Sequence, residues 1–286
     1  MTATKHGQEN PMTPQVKNTS SHSLMPTQHA KISKSVCLFL SNAAVICCLA
    51  ILTVGFTAWH TAEAVESAQS SKPSHPKQAN FKQEHASYEV RYIADWVVDS
   101  GDNNNKVFVV VDKANAKVFV FNAYGQLQGV APALLGLAKG DVSVPGIGKR
   151  KISSIRREER TTPAGRFVAA LDRNLRGEEI LWVDYDSGVS MHQVKTNKSK
   201  KDRLKRLATS TPLDNRITYG CINISEEFFV TVVRPAFTGT DGIVYVLPES
   251  GLPRTVFGAY DVEERALLQN LNYTLIGGEI QKGSPL

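Results

Sequence analysis

Between residues 107 and 247 the chain is written in short runs of β-branched and aromatic residues, and this feature constrains the fold most. Val107-Phe-Val-Val-Val111 and Lys117-Val-Phe-Val-Phe121 flank the turn segment Asp112–Ala116, the pattern of a hairpin. A turn at Asn122–Gly125 leads into Leu127 to Leu135. Further runs follow at Arg166–Leu171, Ile180–Val183, Val189–His192 and Ile243–Leu247, separated by Gly, Asn and Pro. A mainly β, mostly antiparallel domain is therefore expected over 105–248. A doubly wound α/β fold would need many more crossover helices.

One main helix is expected inside that domain. Ser225 can cap it, Glu226 and Glu227 suit its first turn, and Phe228, Phe229, Val232 and Val233 supply an apolar face. Pro235 is expected to stop it. Just upstream, Asn215–Ile224 reads as a short β run, a tight turn at Tyr219-Gly220-Cys221, and the entry to the helix. Cys221 would then sit at a helix N-terminus, where backbone N–H groups lower a thiol pKa and hold an oxyanion.

The thiol stands out for a second reason. Of four cysteines, Cys37, Cys47 and Cys48 lie in one apolar run near the N-terminus. Beyond residue 87 the only cysteine is Cys221 and the only histidine is His192. One thiol cannot close an intramolecular disulfide, and one Cys with one His is too few for a structural zinc site. A lone cysteine is usually a small buried hydrophobe. Its place between a glycine and a helix cap, with a single His upstream, favours a nucleophile. In that reading the His192 imidazole takes the thiol proton and leaves a thiolate.

The flanks are of a different kind. Residues 1–35 are polar and are expected to be a disordered cytoplasmic tail. No charged residue occurs from Val36 to Trp59, a run long enough to span a bilayer, with Lys31 and Lys34 before it. The positive-inside rule then places everything after the span outside the cytoplasm, with Trp59 at the interface. An uncleaved anchor is expected, which would leave the domain on the outer face of a bacterial inner membrane, in the periplasm. The alternative is secretion after cleavage at Ala62-Glu63-Ala64. Residues 60–104 read as a tether followed by a short amphipathic helix from Ser87, with Val90, Ile93, Ala94 and Val97 at helical spacing. Residues 249–286 read as an extension packing over the domain: Val262, Ala266, Leu267 and Leu271 form a weak amphipathic helix, ended by Gly277-Gly278.

At 286 residues and a net charge of +6, the chain has room for a sizeable core and only a modest basic bias. It has no Walker A loop and no dinucleotide fingerprint, so no cofactor is expected. Two basic segments, 137–165 and 195–206, interrupt the strands, and long loops of this kind are lids, binding elements or solvated charge runs. For an exported domain their natural counter-charges are anionic lipid head groups or cell-wall carboxylates. Nucleic acid is not an expected partner.

From about Lys106 to Pro248 the chain resembles the catalytic domain of the bacterial L,D-transpeptidases (YkuD type). The resemblance rests on the hairpin Val107–Phe121 and the strand start Thr162-Pro-Ala-Gly-Arg-Phe167. It rests also on Met191-His192 at a strand end and on Thr218-Tyr219-Gly220-Cys221-Ile222-Asn223. Tyr219 stands where many members have His, and the spacer from His192 to Thr218 is longer than usual. The resemblance implies an L,D-transpeptidase-like β-sandwich with Cys221 as nucleophile and His192 as base, the latter oriented by the backbone carbonyl of Gln193. Apart from the resemblance, the residues themselves place the N–H groups of Tyr219, Gly220 and Cys221 at the oxyanion and Asn223 and Thr218 beside the donor peptide, with Arg216 either a ligand for a substrate carboxylate or an ordinary surface arginine. The resemblance further implies a peptidoglycan stem peptide as donor and an amine acceptor, or water in a carboxypeptidase, and acylation by carbapenems. A non-catalytic wall-binding protein stays open. A papain-like protease is disfavoured, because His192 precedes Cys221 in the chain.

Overall fold

The structure is a computed structural model that describes residues 75–194 and 200–282, all within one unit, Ser70–Leu286. The expected tail, the apolar span with its three cysteines, the first part of the tether and residues 195–199 lie outside the described residues. Among the described residues no helix is long and apolar enough to cross a membrane.

Side-chain alternation along the hairpin decides where the cores form. Strand β1 (Phe108–Asp112) pairs antiparallel with β2 (Lys117–Phe121), and both are buried on two faces. Val107, Val109 and Val111 enter one core with Val118 and Val120, whereas Phe108 and Val110 enter another with Phe119 and Phe121. The second core is covered by helix α1 (Tyr88–Ser100). Its Val90, Ile93, Ala94, Trp96 and Val97 are buried, Ser87 caps its start and Gly101 in the left-handed conformation ends it. Phe81, inside the stretch read as tether, packs there too.

The remaining strands are β3 (Leu127–Pro132), β4 (Leu135–Gly136), β5 (Gly165–Arg173), β6 (Glu179–Asp184), β7 (Val189–Gln193), β8 (Arg216–Thr218), β9 (Ile222–Ile224) and β10 (Asp241–Val246). Eight of the ten strands form one sheet in the order β3-β2-β1-β10-β5-β6-β7-β9, and β4 pairs with β8. The β1–β10, β7–β9 and β4–β8 pairs are parallel, and the other pairs are antiparallel.

The expectation of a mainly β domain holds, but in place of the expected β-sandwich a single sheet curls on itself into a nearly closed, barrel-like form. Leu134, just past β3, exchanges hydrogen bonds of 2.8 and 2.9 Å with Asn223 in β9, so the two sheet edges meet. Residues from both ends of the strand order, such as Val118 of β2 and Ile222 of β9, consequently share one core. Joining the edges satisfies backbone groups that a flat sheet would leave open.

Helix α3 fills the mouth of this core with Phe228, Phe229, Val233 and Phe237. It runs continuously as α-helical Glu226–Phe228, π-helical Phe229–Val233 and α-helical Arg234–Phe237. Ser225 caps it as expected, its Oγ accepting from the Phe228 N–H at 3.2 Å. Pro235 does not stop it. The Arg234 N–H already reaches back to the Phe229 carbonyl across the wider π turn, and a proline without N–H is accommodated in the turn that follows.

Three further helices are α2 (Lys200–Leu207), α4 (Pro253–Phe257) and α5 (Val262–Lys282). Helix α5 passes through Gly277-Gly278, where the sequence predicts its end. It buries Val262 in the second core but leaves Leu267 and Leu271 exposed.

Candidate active site

The Cys221 turn is built by hydroxyls and one glycine. Thr218 Oγ1 donates to the Cys221 carbonyl at 2.7 Å and accepts from the Gly220 N–H at 3.1 Å, which closes the turn on itself. Thr162, fully buried, donates from Oγ1 to the Gly220 carbonyl at 2.8 Å and accepts the Gly136 N–H at 2.9 Å. Gly220 has φ +127°, and a Cβ there would lie 2.8 Å from the Thr161 carbonyl oxygen. Only glycine fits both the conformation and the space.

Loop 137–165 is anchored from below by Lys113, whose ammonium is buried. It donates to Asp141 at 2.8 Å, to the Thr162 carbonyl at 2.9 Å and to the Gly140 carbonyl at 2.7 Å. Burial pulls the Lys113 pKa below its ordinary value, although Asp141 opposes the shift. Part of the loop's basic charge is used internally. Arg150 and Arg156 both bond Glu159, and these bonds hold its carboxyl at about 2.

Strands β7 and β9 lie side by side in parallel register, Met191 opposite Ile222 and His192 opposite Asn223. That pairing brings the thiol and the imidazole together from positions 29 apart in the chain. The half-buried Cys221 Sγ lies 3.7 Å from Ser190 Oγ and 3.7 Å from the Gly188 carbonyl oxygen. Burial pushes the thiol up, but the neighbouring His192 imidazole outweighs it, with Ser190 adding to that effect. The thiol stands below its ordinary value.

The imidazole is held at both nitrogens. His192 Nδ1 lies 2.8 Å from the Gln193 carbonyl oxygen, and Nε2 lies 2.9 Å from Asn223 Nδ2. Asn223 Oδ1 in turn accepts from Arg203 Nη1 at 2.5 Å. A guanidinium only donates, so the Asn223 oxygen faces Arg203 and its NH2 group faces His192. The proton of the neutral ring is then on Nδ1, donated to Gln193.

Several sequence-predicted residues stand elsewhere than expected. Asn223 is buried, with both ends of its amide engaged, so it braces His192 rather than facing a substrate. Arg216 is paired with Glu249 and donates to the Lys113 carbonyl at 2.8 Å, which takes it out of play as a substrate-carboxylate ligand. Thr218 is a buried turn builder. The Gly220 N–H is spent on Thr218, leaving those of Tyr219 and Cys221 from the expected oxyanion set. Gln193 contributes its carbonyl. Tyr219 is 39% exposed and stacks under the Arg160 guanidinium, 3.8 Å from ring centroid to Cζ. Helix α3 begins after β9, so Cys221 and Ser225 are four positions apart, about 13 Å of extended chain. Its dipole does not act on the thiol, and the acidifying groups are His192 and Ser190 instead.

Sequence reasoning missed Ser190 and Arg203. The signal for Ser190 was present, because residues two apart in a strand share a face and Ser190 lies two before His192. Nothing in a run of seven basic residues between Lys195 and Arg206 singles out Arg203.

No family model and no curated protein matches the chain. Solved structures resemble it, among them three that bear the name of the family that the sequence motifs resemble. An L,D-transpeptidase in complex with imipenem is 19% identical over 49% of this chain, TM-score 0.29. The L,D-transpeptidase of Xylanimonas cellulosilytica is 13% identical over 50% of this chain, TM-score 0.30. The catalytic domain of an E. faecium L,D-transpeptidase is 16% identical over 50% of this chain and 98% of its own, TM-score 0.26. The chain spans 58% and 60% of the length of the first two. At TM-scores of this size the likeness carries nothing about substrate or mechanism, which rest on the residues themselves.

Proposed function

We propose that this chain is a cysteine-dependent L,D-transpeptidase acting on peptidoglycan stem peptides. The observation that carries this reading is the thiol of Cys221, acidified beside His192, whose Nδ1 bonds the Gln193 carbonyl at 2.8 Å.

In the proposed reaction the Cys221 proton passes to His192, and the thiolate attacks the amide carbonyl that precedes a terminal D-alanine. Negative charge develops on that carbonyl oxygen and is met by the Tyr219 and Cys221 N–H groups, each such donor worth about 3 kcal/mol. His192 returns the proton to the leaving amine as the C–N bond breaks, leaving a thioester on Cys221. The side-chain amine of a second stem attacks the thioester, passes a proton to His192 and releases the thiolate. A cross-link has formed and no net proton is consumed. With water as acceptor the same site would be an L,D-carboxypeptidase. Ser190, placed at the sulfur, stabilises the thiolate between turnovers. Arg160 and Tyr219 offer a cation and a ring at the rim, suited to the carboxylates of a stem peptide. Residues 36–59 would hold the domain at the outer face of the inner membrane, where the wall lies.

The test is incubation of residues 75–286 with muropeptides of defined stem length, read by mass spectrometry of products and of intact protein. Cross-linked dimers with an acyl adduct on Cys221 are expected. Folded protein giving neither product nor adduct would overturn the reading in favour of a non-catalytic wall-binding protein.

A further inference from the structure

We infer that Arg203, in the basic helix α2, is a positioning residue that restrains His192 through Asn223; this rests on the Cys221–His192 pairing proposed above. Helix α2 docks through Leu207, buried with Leu134 and Val194, while Arg206 bonds the Asp214 carbonyl at 2.5 Å. That docking points Arg203 inward. Burial, and then the charge of Arg206, lower its pKa, yet it remains a cation and a pure donor.

The consequence follows from the asymmetry of an amide. With Arg203 bonded to Oδ1, Asn223 can present only N–H to His192 Nε2. That N–H occupies the lone pair that would accept the thiol proton, and it opposes an Nε2–H. If Arg203 is removed, the amide is free to turn about its last bond and offer Oδ1 to Nε2–H. The thiolate–imidazolium pair then gains an acceptor and loses a neighbouring cation. Among the described residues, Cys221 from the turn before β9 faces His192, and Arg203 of α2 reaches it through Asn223. No carboxylate bonds the imidazole among the described residues. Arg203 therefore keeps the nucleophile short of full ionisation.

The experiment is the rate of iodoacetamide alkylation of Cys221 against pH on the full chain, read by peptide mass spectrometry that separates Cys221 from Cys37, Cys47 and Cys48. Variants are Arg203→Met, Arg203→Lys, Asn223→Asp and His192→Ala. A hydrogen bond of ordinary net worth corresponds to about a five- to tenfold change. Arg203→Met should therefore alkylate about five to ten times faster on the acid side of the profile, its acid limb moved down by up to about one pH unit. Arg203→Lys should restore much of the wild-type profile. Asn223→Asp, which gives His192 an acceptor outright, should move the limb further in the same direction. A folding role alone would lower melting temperature without displacing the limb. Superimposed limbs for wild type and Arg203→Met, or a shift to higher pH, would overturn the inference. Should Arg203→Met fail to fold, the Asn223→Asp limb decides alone, and an unmoved limb there overturns it equally. His192→Ala separates the two levels. An unchanged profile in that variant defeats the thiol–imidazole pairing itself, whereas a limb raised by His192→Ala but unmoved by Arg203→Met defeats only the role of Arg203.

Discussion

Replacing Thr162 by valine removes one oxygen from the molecule and tests how the Cys221 turn is supported. Thr162 is fully buried and isosteric with valine, so packing is retained. Its Oγ1 is the acceptor for the Gly136 N–H at 2.9 Å and the donor to the Gly220 carbonyl at 2.8 Å. The substitution leaves two buried backbone groups without partners, each costing about 1–3 kcal/mol. Burying a methyl in place of a hydroxyl offsets part of this, which leaves a net loss of about 2–4 kcal/mol. For a unit of this size each kcal/mol moves Tm by about 2–4 °C, so a drop of roughly 4–16 °C is expected. Urea denaturation should show the same loss with an unchanged slope, because the surface exposed on unfolding is the same. Thr162→Ser keeps the oxygen and should lose only the contribution of a methyl, about 1 kcal/mol. Thr162→Val with a stability within about 0.5 kcal/mol of wild type would refute this account, since it would mean that other groups satisfy Gly136 and Gly220.

Cys221→Ser should abolish acyl transfer while Tm stays close to wild type, because a hydroxyl beside a single His is a far weaker nucleophile; muropeptide turnover with a parallel thermal melt checks both halves. Arg216→Met should cost about 3–5 kcal/mol by stranding Glu249, whose side chain is only 11% exposed, and a denaturant titration should report it. Carbapenem acylation of Cys221, followed by intact mass, should persist at neutral pH and fade in acid. The thiol stands below its ordinary value, so the thiolate is present above that lowered pKa and is lost as pH falls through it. His192→Ala should slow acylation at neutral pH and be partly rescued by raising the pH, and equal rates in both proteins would remove His192 as the activating base.

The sequence by itself determined the strands, because their information is local. Alternation of Val and Phe in Val107–Phe121 specified two buried faces, and Ser87 and Ser225 marked helix starts through side-chain oxygens a few residues from the groups they cap. The turn Thr218–Cys221 was legible too, since its hydrogen bonds join residues two or three apart. Tertiary structure decided what depends on partners distant in sequence. Closure of the sheet hangs on Leu134 meeting Asn223, 89 positions on. The continuation of α3 past Pro235 depends on a π turn packed into a core that strands from both ends of the sheet supply. Asn223 and Arg216 looked like substrate ligands because a polar side chain beside a nucleophile has no stated partner in a sequence. In the fold Arg203 and Glu249 claim them first, and a buried polar group must take the partner that burial leaves it.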